Sequence, residues 1–279
     1  MIQKGPGSSN TVESLVHEGH QALRGGRVAE AQELARNLLA RHPRNPDALE
    51  LFGLTLLAQE KASEAIRPLQ DAARVRPGAV VETYLGQALR KAGRIPEALA
   101  VLQQASERQP AVPGAFFELG TLLYEKRRVA EAEAVLVRGM AVAPAGQLSF
   151  ALGTIFLERG DFEDASVSFA RALAASPGHP SVLCGLGRAR MACGELDRAL
   201  EKFQEAMANN PSEGRARFLT AQCLFELGRP AEAIECLRAL VAWAPQSFGG
   251  ALKTCVEAGK GRFWLKPSAA ADALGLKRG

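Results

Sequence analysis

The side chains that could carry chemistry in this 279-residue chain are few and scattered. Glu13, His17 and His20 follow a helical spacing that puts them on one face, where two imidazoles and a carboxylate could ligate a metal ion. A solvated face of a helix explains the same spacing, and no third strong ligand is obvious nearby. His42 and His179 stand next to prolines, as turn residues do.

Motifs of catalysis and of nucleotide binding are absent from the sequence. It contains no G-x-x-x-x-G-K-[ST] and no G-x-S-x-G. The 34 residues that follow Pro245 are too few for a catalytic domain. We therefore predict that the protein is not an enzyme, uses no cofactor and takes no small-molecule substrate.

The five cysteines are an odd number, and none forms a C-x-x-C pair. Each stands inside a helical pattern, which is typical of small buried hydrophobic residues in a reducing compartment. A metal site or a redox pair is the alternative. The cysteines are Cys184, Cys193, Cys223, Cys236 and Cys255.

The composition indicates a packed helical core. Apolar residues make up 47%, charged residues 23% and aromatic residues only 6%, so the core must be built from Ala, Leu and Val. No apolar run is long enough for a transmembrane helix, and residues 1–10 lack the apolar region of a secretory signal. We expect a cytoplasmic protein with no transmembrane segment.

The net charge of +4 is concentrated at one end of the chain. Residues 246–279 hold six basic and two acidic residues, whereas residues 12–245 are close to neutral. A uniformly basic surface for nucleic acid is therefore not expected on the body of the protein.

The sequence repeats itself with a period of 33 or 34 residues. Seven prolines mark the period, an alanine stands twelve residues before each, and a glycine stands another twelve residues earlier in six copies. Ala221 takes the glycine position in the seventh copy. The prolines are Pro43, Pro77, Pro110, Pro144, Pro177, Pro211 and Pro245, and the alanines are Ala31, Ala65, Ala98, Ala132, Ala165, Ala199 and Ala233. This register indicates a repeating structural unit.

Each copy has the pattern of two helices joined by a turn. Apolar residues around the glycine recur at helical spacing, and the closing proline stops the second helix. Glycine inside a helix costs about 1 kcal/mol relative to alanine. We therefore interpret the glycine of the first helix and the alanine of the second as a point of close backbone approach. Turn glycines such as Gly93 supply a positive φ, whereas copies two and four carry Glu60 and Arg127 there.

These positions resemble those of the tetratricopeptide repeat family in all seven copies. The resemblance implies an all-α fold, a right-handed superhelical α-solenoid of antiparallel helix pairs, and a role in binding other proteins. One position departs from the family's pattern, since the large residue often found early in the first helix is missing from three copies. Leu15, Leu49, Phe116 and Leu183 fit that position, whereas Glu82, Ser149 and Arg217 do not.

We expect four segments along the chain. Residues 1–11 form a flexible tail, residues 12–245 form seven repeats, and residues 246–259 form a helix that caps the last repeat. Residues 260–279 form a basic tail with a short helix from Ser268 through Leu274. The cap is expected because one helix pair cannot bury its own apolar face.

The resemblance also implies where a partner binds. The first helices line the concave side, and the fifth and ninth positions of each repeat face the groove. The predicted groove residues are Phe117, Phe150 and Phe218 at the fifth position, with Leu54, Thr121, Thr154, Arg188 and Gln222 at the ninth. An amphipathic helix or an extended peptide with apolar anchors is the natural ligand. The alternative is that the phenylalanines pack inward between helices.

The basic tail offers a second contact site. Phe263 and Trp264, flanked by Lys260 and Arg262, could touch an acidic partner, a lipid surface or nucleic acid. The alternative is that Trp264 folds back to cover the last helix pair.

The leading hypothesis is a non-enzymatic adaptor or co-chaperone-like assembly factor that binds a peptide or helix of a partner protein. One alternative is the regulatory subunit of a separate enzyme. Another is a binder of surfaces or nucleic acid that acts through the basic tail. The usage of Ala, Arg and Gly is typical of a bacterial source, and the sequence leaves the oligomeric state open.

Overall fold

In a computed structural model of the protein, the described residues are 9–212, 214–257, 270, 273 and 274. Side chains are described within 12–212 and 214–255 and at the last three positions. These residues fall into two compact units, one up to Pro144 and one from Ala145 onward. Throughout the described residues the regular secondary structure is helical, with no strand.

Within residues 9–144, the described part of the first unit, there are eight helices. They are α1 (Ser9–Arg24), α2 (Val28–Arg41), α3 (Pro46–Ala58), α4 (Ala62–Val75), α5 (Ala79–Lys91), α6 (Ile95–Glu107), α7 (Pro113–Glu125) and α8 (Val129–Val142). Helix α1 begins three residues before the predicted start of the first repeat. Each odd-numbered helix packs against the even-numbered helix that follows it, as predicted for repeating helix pairs.

The second unit continues the same alternation. Its helices are α9 (Gly146–Arg159), α10 (Phe162–Ala175), α11 (Pro180–Ala192), α12 (Leu196–Asn209), α13 (Gly214–Glu226), α14 (Pro230–Trp243) and α15 (Phe248–Glu257). A 3₁₀ turn over Pro245–Ser247 separates α14 from α15. Helix α15 lies inside the segment predicted to cap the last repeat, and it packs against α13 and α14.

The turn within each helix pair requires a residue in the left-handed region of backbone space. Gly26, Gly93, Gly160, Gly194 and Gly228 supply it in five pairs, with φ between 71° and 93°. Glu60 and Arg127 take the same conformation in the other two pairs, with φ of 61° and 62°. The geometry of the turn is therefore kept even where the residue is not glycine.

The repeated glycine of the first helix lies against a large side chain. A Cβ added at Gly187 would lie 2.4 Å from Cε1 of Phe203, and one added at Gly86 would lie 2.4 Å from Cγ of Leu102. In five copies the glycine thus makes room for a large side chain of the second helix, whereas Gly19 makes room for Leu51 of α3. The seven periodic alanines are nevertheless all fully buried, which fits their place in the interior of each pair.

The three positions that depart from the family's pattern are accommodated in different ways. Glu82 is buried and forms an ion pair with Arg108 at the end of α6. Ser149 is small and buried. Arg217 is half-buried and donates a hydrogen bond from Nη2 to the carbonyl of Pro211 at 3.2 Å. A polar residue is therefore tolerated there when a partner or a small volume is available.

Candidate functional site

The predicted groove residues of the first unit lie on the first helices and are partly exposed. Leu54 on α3, and Phe117 and Thr121 on α7, are half-buried. Phe116, the neighbour of Phe117, is only 2% exposed and belongs to the core. Helix α7 therefore directs one phenylalanine into the interior and leaves part of the next one accessible.

Adjacent first helices contact each other along this face. Nε2 of Gln87 on α5 donates to Oε1 of Glu118 on α7 at 3.3 Å. Arg90 on α5 is ion-paired with Glu118 at 3.1 Å and with Glu125 at 2.7 Å. Burial raises the pKa of Glu118, and Arg90 acts in the opposite direction. This network joins α5 to α7 and gives the face a polar section beside Phe117.

The predicted groove residues of the second unit include two phenylalanines with packing roles. The ring of Phe150 meets that of Phe169 edge-on, with centroids 5.7 Å apart. Phe218 packs against the core of the unit, and its Cζ lies 2.9 Å from where a Cβ at Gly250 of α15 would stand. Both rings are half-buried. They support the fold while leaving part of their surface accessible.

The predicted polar residues of the second unit also lie on first helices. Thr154 is half-buried, and its hydroxyl donates to the carbonyl of Phe150 at 3.0 Å. Arg188 on α11 is half-buried and Gln222 on α13 is exposed.

A pocket of about 570 Å³ opens beside α1 in the first unit, and we name it the α1 pocket. It is lined by Val12, Glu13, Val16, His17, His20, His42, Asn45 and Asp47. Two of these residues, Val16 and His20, hold the fifth and ninth positions of the first repeat. The α1 pocket therefore belongs to the same face as the predicted groove residues of this unit.

The spacing of the histidines in the α1 pocket can be compared with that of a metal site. Within the part of the chain that the structure describes, no three His, Cys, Asp or Glu side chains come together as a metal site. Nε2 of His17 lies 2.9 Å from Nε2 of Gln21, one turn along α1. The sequence spacing of Glu13, His17 and His20 singled out this region, but the local pattern gave no sign of His42 and Asp47.

None of the five cysteines is in a disulfide. Cys184, Cys223 and Cys255 are buried, whereas Cys193 is exposed because it follows the last turn of α11. Burial raises the pKa of the Cys223 thiol to about 11, so this sulfur is not a nucleophile at neutral pH.

The tail residues predicted as a second contact, Lys260, Arg262, Phe263 and Trp264, lie outside the described residues. Farther along, Ala270 and Leu274 are buried in the core of the second unit. The guanidinium of Arg238 on α14 donates to the carbonyl of Ala273 at 3.1 and 2.8 Å. This part of the tail therefore packs on the last helices.

No described helix combines the length and the apolar run that a bilayer crossing requires. Paired helices, an interior of small residues and a partly exposed face on the first helices define a helical-repeat scaffold. The tetratricopeptide repeat model matches residues 17–80, 85–141, 133–180, 150–206 and 184–248. The chain belongs to the tetratricopeptide repeat family, and its fold is an all-α solenoid of helix pairs. The repeat fold of this family generally serves as a non-catalytic interaction scaffold.

A curated relative has a bacterial source. Cellulose synthase operon protein C of Xanthomonas axonopodis pv. citri (strain 306) is 27% identical over 247 residues, which cover 82% of this chain. The chain spans only 16% of the length of that relative. The similarity therefore concerns the repeats and not the whole relative.

Solved structures with the same fold come from varied settings. The Cut9–Hcn1 hetero-tetramer of the APC/C gives a TM-score of 0.67 at 18% identity, covering 84% of this chain and 45% of that one. PilW, a type IV pilus biogenesis factor, gives a TM-score of 0.63 at 19% identity, and the match covers 72% of this chain and 94% of PilW. The human IFIT1 dimer with PPP-AAAA gives a TM-score of 0.67 at 16% identity, and the match covers 90% of this chain and 65% of the IFIT1 chain. At these identities the similarity shows the fold alone.

Proposed function

We propose that this protein is a non-enzymatic scaffold that binds a peptide or an amphipathic helix of a partner protein on the face formed by its first helices. The observation that carries the proposal is the contrast between Phe116 and Phe117 on α7. Phe116 completes the core, whereas Phe117 keeps part of its ring accessible on a face shared with α5. An accessible aromatic side chain beside a polar network is a suitable anchor for a protein segment.

The first unit offers a bound segment both apolar and polar contacts. Leu54 and Phe117 provide apolar surface, and Thr121 lies one turn beyond Phe117 on the same helix. The half-buried side chain of Gln87 on α5 provides a polar contact. An amphipathic helix matches this combination because it presents apolar residues every three or four positions with polar residues beside them.

The second unit repeats the combination with different residues. The accessible parts of Phe150 and Phe218 supply apolar contact, and Arg188 and Gln222 supply polar contact. We expect this unit to tolerate substitution less well, because Phe150 also packs against Phe169.

The comparisons support a role in assembling other proteins by analogy of fold. Cut9 is seen in a complex with Hcn1, and PilW is described as a pilus biogenesis factor. We extend this to the present chain as an adaptor, assembly factor or co-chaperone-like protein. The five cysteines, none of which is in a disulfide, support our proposal that the protein is in the reducing cytoplasm, which cell fractionation tests.

Affinity capture with a matched pair of variants tests the proposal. Phe117→Ala removes the accessible ring, and Val137→Ala removes an apolar side chain of α8 that is 50% exposed. We expect Phe117→Ala to lose a protein that the wild type and Val137→Ala both retain, while circular dichroism stays helical. Equal recovery by all three forms would contradict the assignment of the face.

A further inference from the structure

The α1 pocket combines apolar surface with carboxylates. Val12 and Val16 contribute the apolar part of the lining, and Glu13 and Asp47 contribute the carboxylates. A volume of about 570 Å³ accommodates a long side chain together with the water around its polar end.

Besides His17, which contacts Gln21, two polar groups of the α1 pocket already have partners. Asp47 is ion-paired with Arg76, and Oδ1 of Asn45 accepts a hydrogen bond from the backbone N–H of Ala48 at 2.9 Å. Glu13 is exposed and has no hydrogen-bond or ion-pair partner among the residues that the structure describes. Its carboxylate is therefore available to a ligand.

The imidazole of His20 adds a hydrogen-bond acceptor. Burial lowers the pKa of His20, and Arg24 acts in the same direction while Asp47 opposes it. The ring is therefore neutral at pH 7, and its unprotonated nitrogen can accept a hydrogen bond.

A further carboxylate lies beside the pocket. Glu50 follows Asp47 by one turn of α3, is half-buried, and has no hydrogen-bond or ion-pair partner within the described ranges. Glu13 and Glu50 add two carboxylates to this end of the first-helix face, and Arg76, the partner of Asp47, also acts to lower the pKa of Glu50.

We propose that the α1 pocket receives a lysine or arginine side chain from the partner segment, an inference that rests on the proposed function. The methylene stem lies against Val12 and Val16, and the cationic end pairs with Glu13. The donors of that cationic end match the acceptor on His20. An anionic side chain would instead meet the carboxylates of Glu13 and Asp47.

The four histidines of the chain supply a direct test with an internal control. Three of them line the α1 pocket, whereas His179 is exposed in the second unit. The full chain, labelled with ¹³C at histidine, is titrated with N-acetyl-arginine amide and N-acetyl-lysine amide. The comparison probes are N-acetyl-glutamate amide and N-acetyl-norleucine amide at equal ionic strength.

We expect the two basic probes to shift the Cε1–H signals of His17, His20 and His42 saturably, while His179 stays in place. Glu13→Gln should weaken this binding about two- to fivefold, as for the loss of one exposed ion pair. Glu18→Gln is the matched control, because Glu18 is exposed on α1 and is not part of the lining. It should leave the binding unchanged.

Two results would overturn the inference: no saturable shift with either basic probe, or an equal response to the glutamate or norleucine probe. Neither result bears on the proposed function, because the probes replace the partner. Conversely, equal capture of the partner by Phe117→Ala and by the wild type would contradict the proposed function. The histidine signals would still show whether the α1 pocket binds a basic side chain.

Discussion

Arg108 holds the buried carboxylate of Glu82 by donating from Nη2 to Oε1 at 2.7 Å and from Nε to Oε2 at 3.1 Å. Glu82 is only 4% exposed, and a buried carboxylate without its partner is strongly destabilising. We therefore expect Arg108→Leu to lower the Tm by about 5 °C or more, as measured by circular dichroism.

The matched variant for this prediction is Glu82→Leu. It places at this position the residue that Leu15, Leu49 and Leu183 provide in other repeats. Because Arg108 reaches solvent, we expect Glu82→Leu to keep the wild-type Tm or to raise it. A Tm of Arg108→Leu equal to that of the wild type would show that the ion pair is not needed.

Glycine should stabilise the two turns that lack it. Glu60 and Arg127 have φ of 61° and 62°, and both are exposed. The left-handed conformation costs a residue with a Cβ about 1 kcal/mol. Glu60→Gly and Arg127→Gly are each expected to raise the free energy of unfolding by about 1 kcal/mol in urea titrations. Gly93→Ala, at φ of 79° with open space around it, should lower it. A loss of stability in Glu60→Gly would contradict this account.

The glycine of the sixth repeat should not tolerate a methyl group. A Cβ at position 187 would lie 2.4 Å from Cε1 of Phe203, a ring that is fully buried and cannot move aside. Gly187→Ala is therefore expected to cost about 2 kcal/mol of unfolding free energy. Gly249→Ala in α15, where a Cβ would meet nothing within 4 Å, is the control and should be neutral or stabilising. Equal stability of the two variants would exclude the close contact.

The charge of Glu118 should make the protein's stability depend on pH. Because burial raises the pKa of Glu118, the fold favours its neutral form. The resulting stabilisation of the folded state is complete when the pH is below the ordinary glutamate pKa of 4.5. It is lost as the pH rises through the raised pKa of Glu118. Glu118→Gln should therefore unfold at higher urea concentration than the wild type at pH 7.5, and at the same concentration near pH 4.

Glu125→Gln is the control for the pH series, since Glu125 is exposed and shares Arg90 with Glu118. The urea concentration at which Glu125→Gln unfolds should not show the pH-dependent difference from the wild type that we expect for Glu118→Gln. A constant difference between Glu118→Gln and the wild type at all pH values would contradict the prediction.

The repeat architecture was predictable because it depends on residues that recur at a fixed period. The alanines from Ala31 to Ala233 are buried in every copy, and the helix pairs follow the predicted period. The large side chain that lies against the first-helix glycine was not predicted. Helical period places Gly187 and Ala199 on facing helices, but it does not reveal that the ring of Phe203 lies against Gly187.

The site was less predictable, because its parts are far apart in sequence. The pairing of Glu82 with Arg108 and the approach of His42 and Asp47 to α1 depend on how helices from different positions meet. The role of Phe150 depends on its contact with Phe169. Phe169 occupies a position that is leucine in the second, third and fourth repeats. Periodicity places a residue on a helix face but does not give the volume of what lies opposite.

Site-specific photo-crosslinking tests the binding face most directly. A photoreactive phenylalanine analogue is introduced at Thr121 or Leu54 on the first helices, and at Val137 on α8 as the control. We predict that positions 121 and 54 crosslink the same polypeptide, that Phe117→Ala abolishes both crosslinks, and that position 137 captures none of it. Capture of that polypeptide at position 137 but not at 121 or 54 would contradict the account.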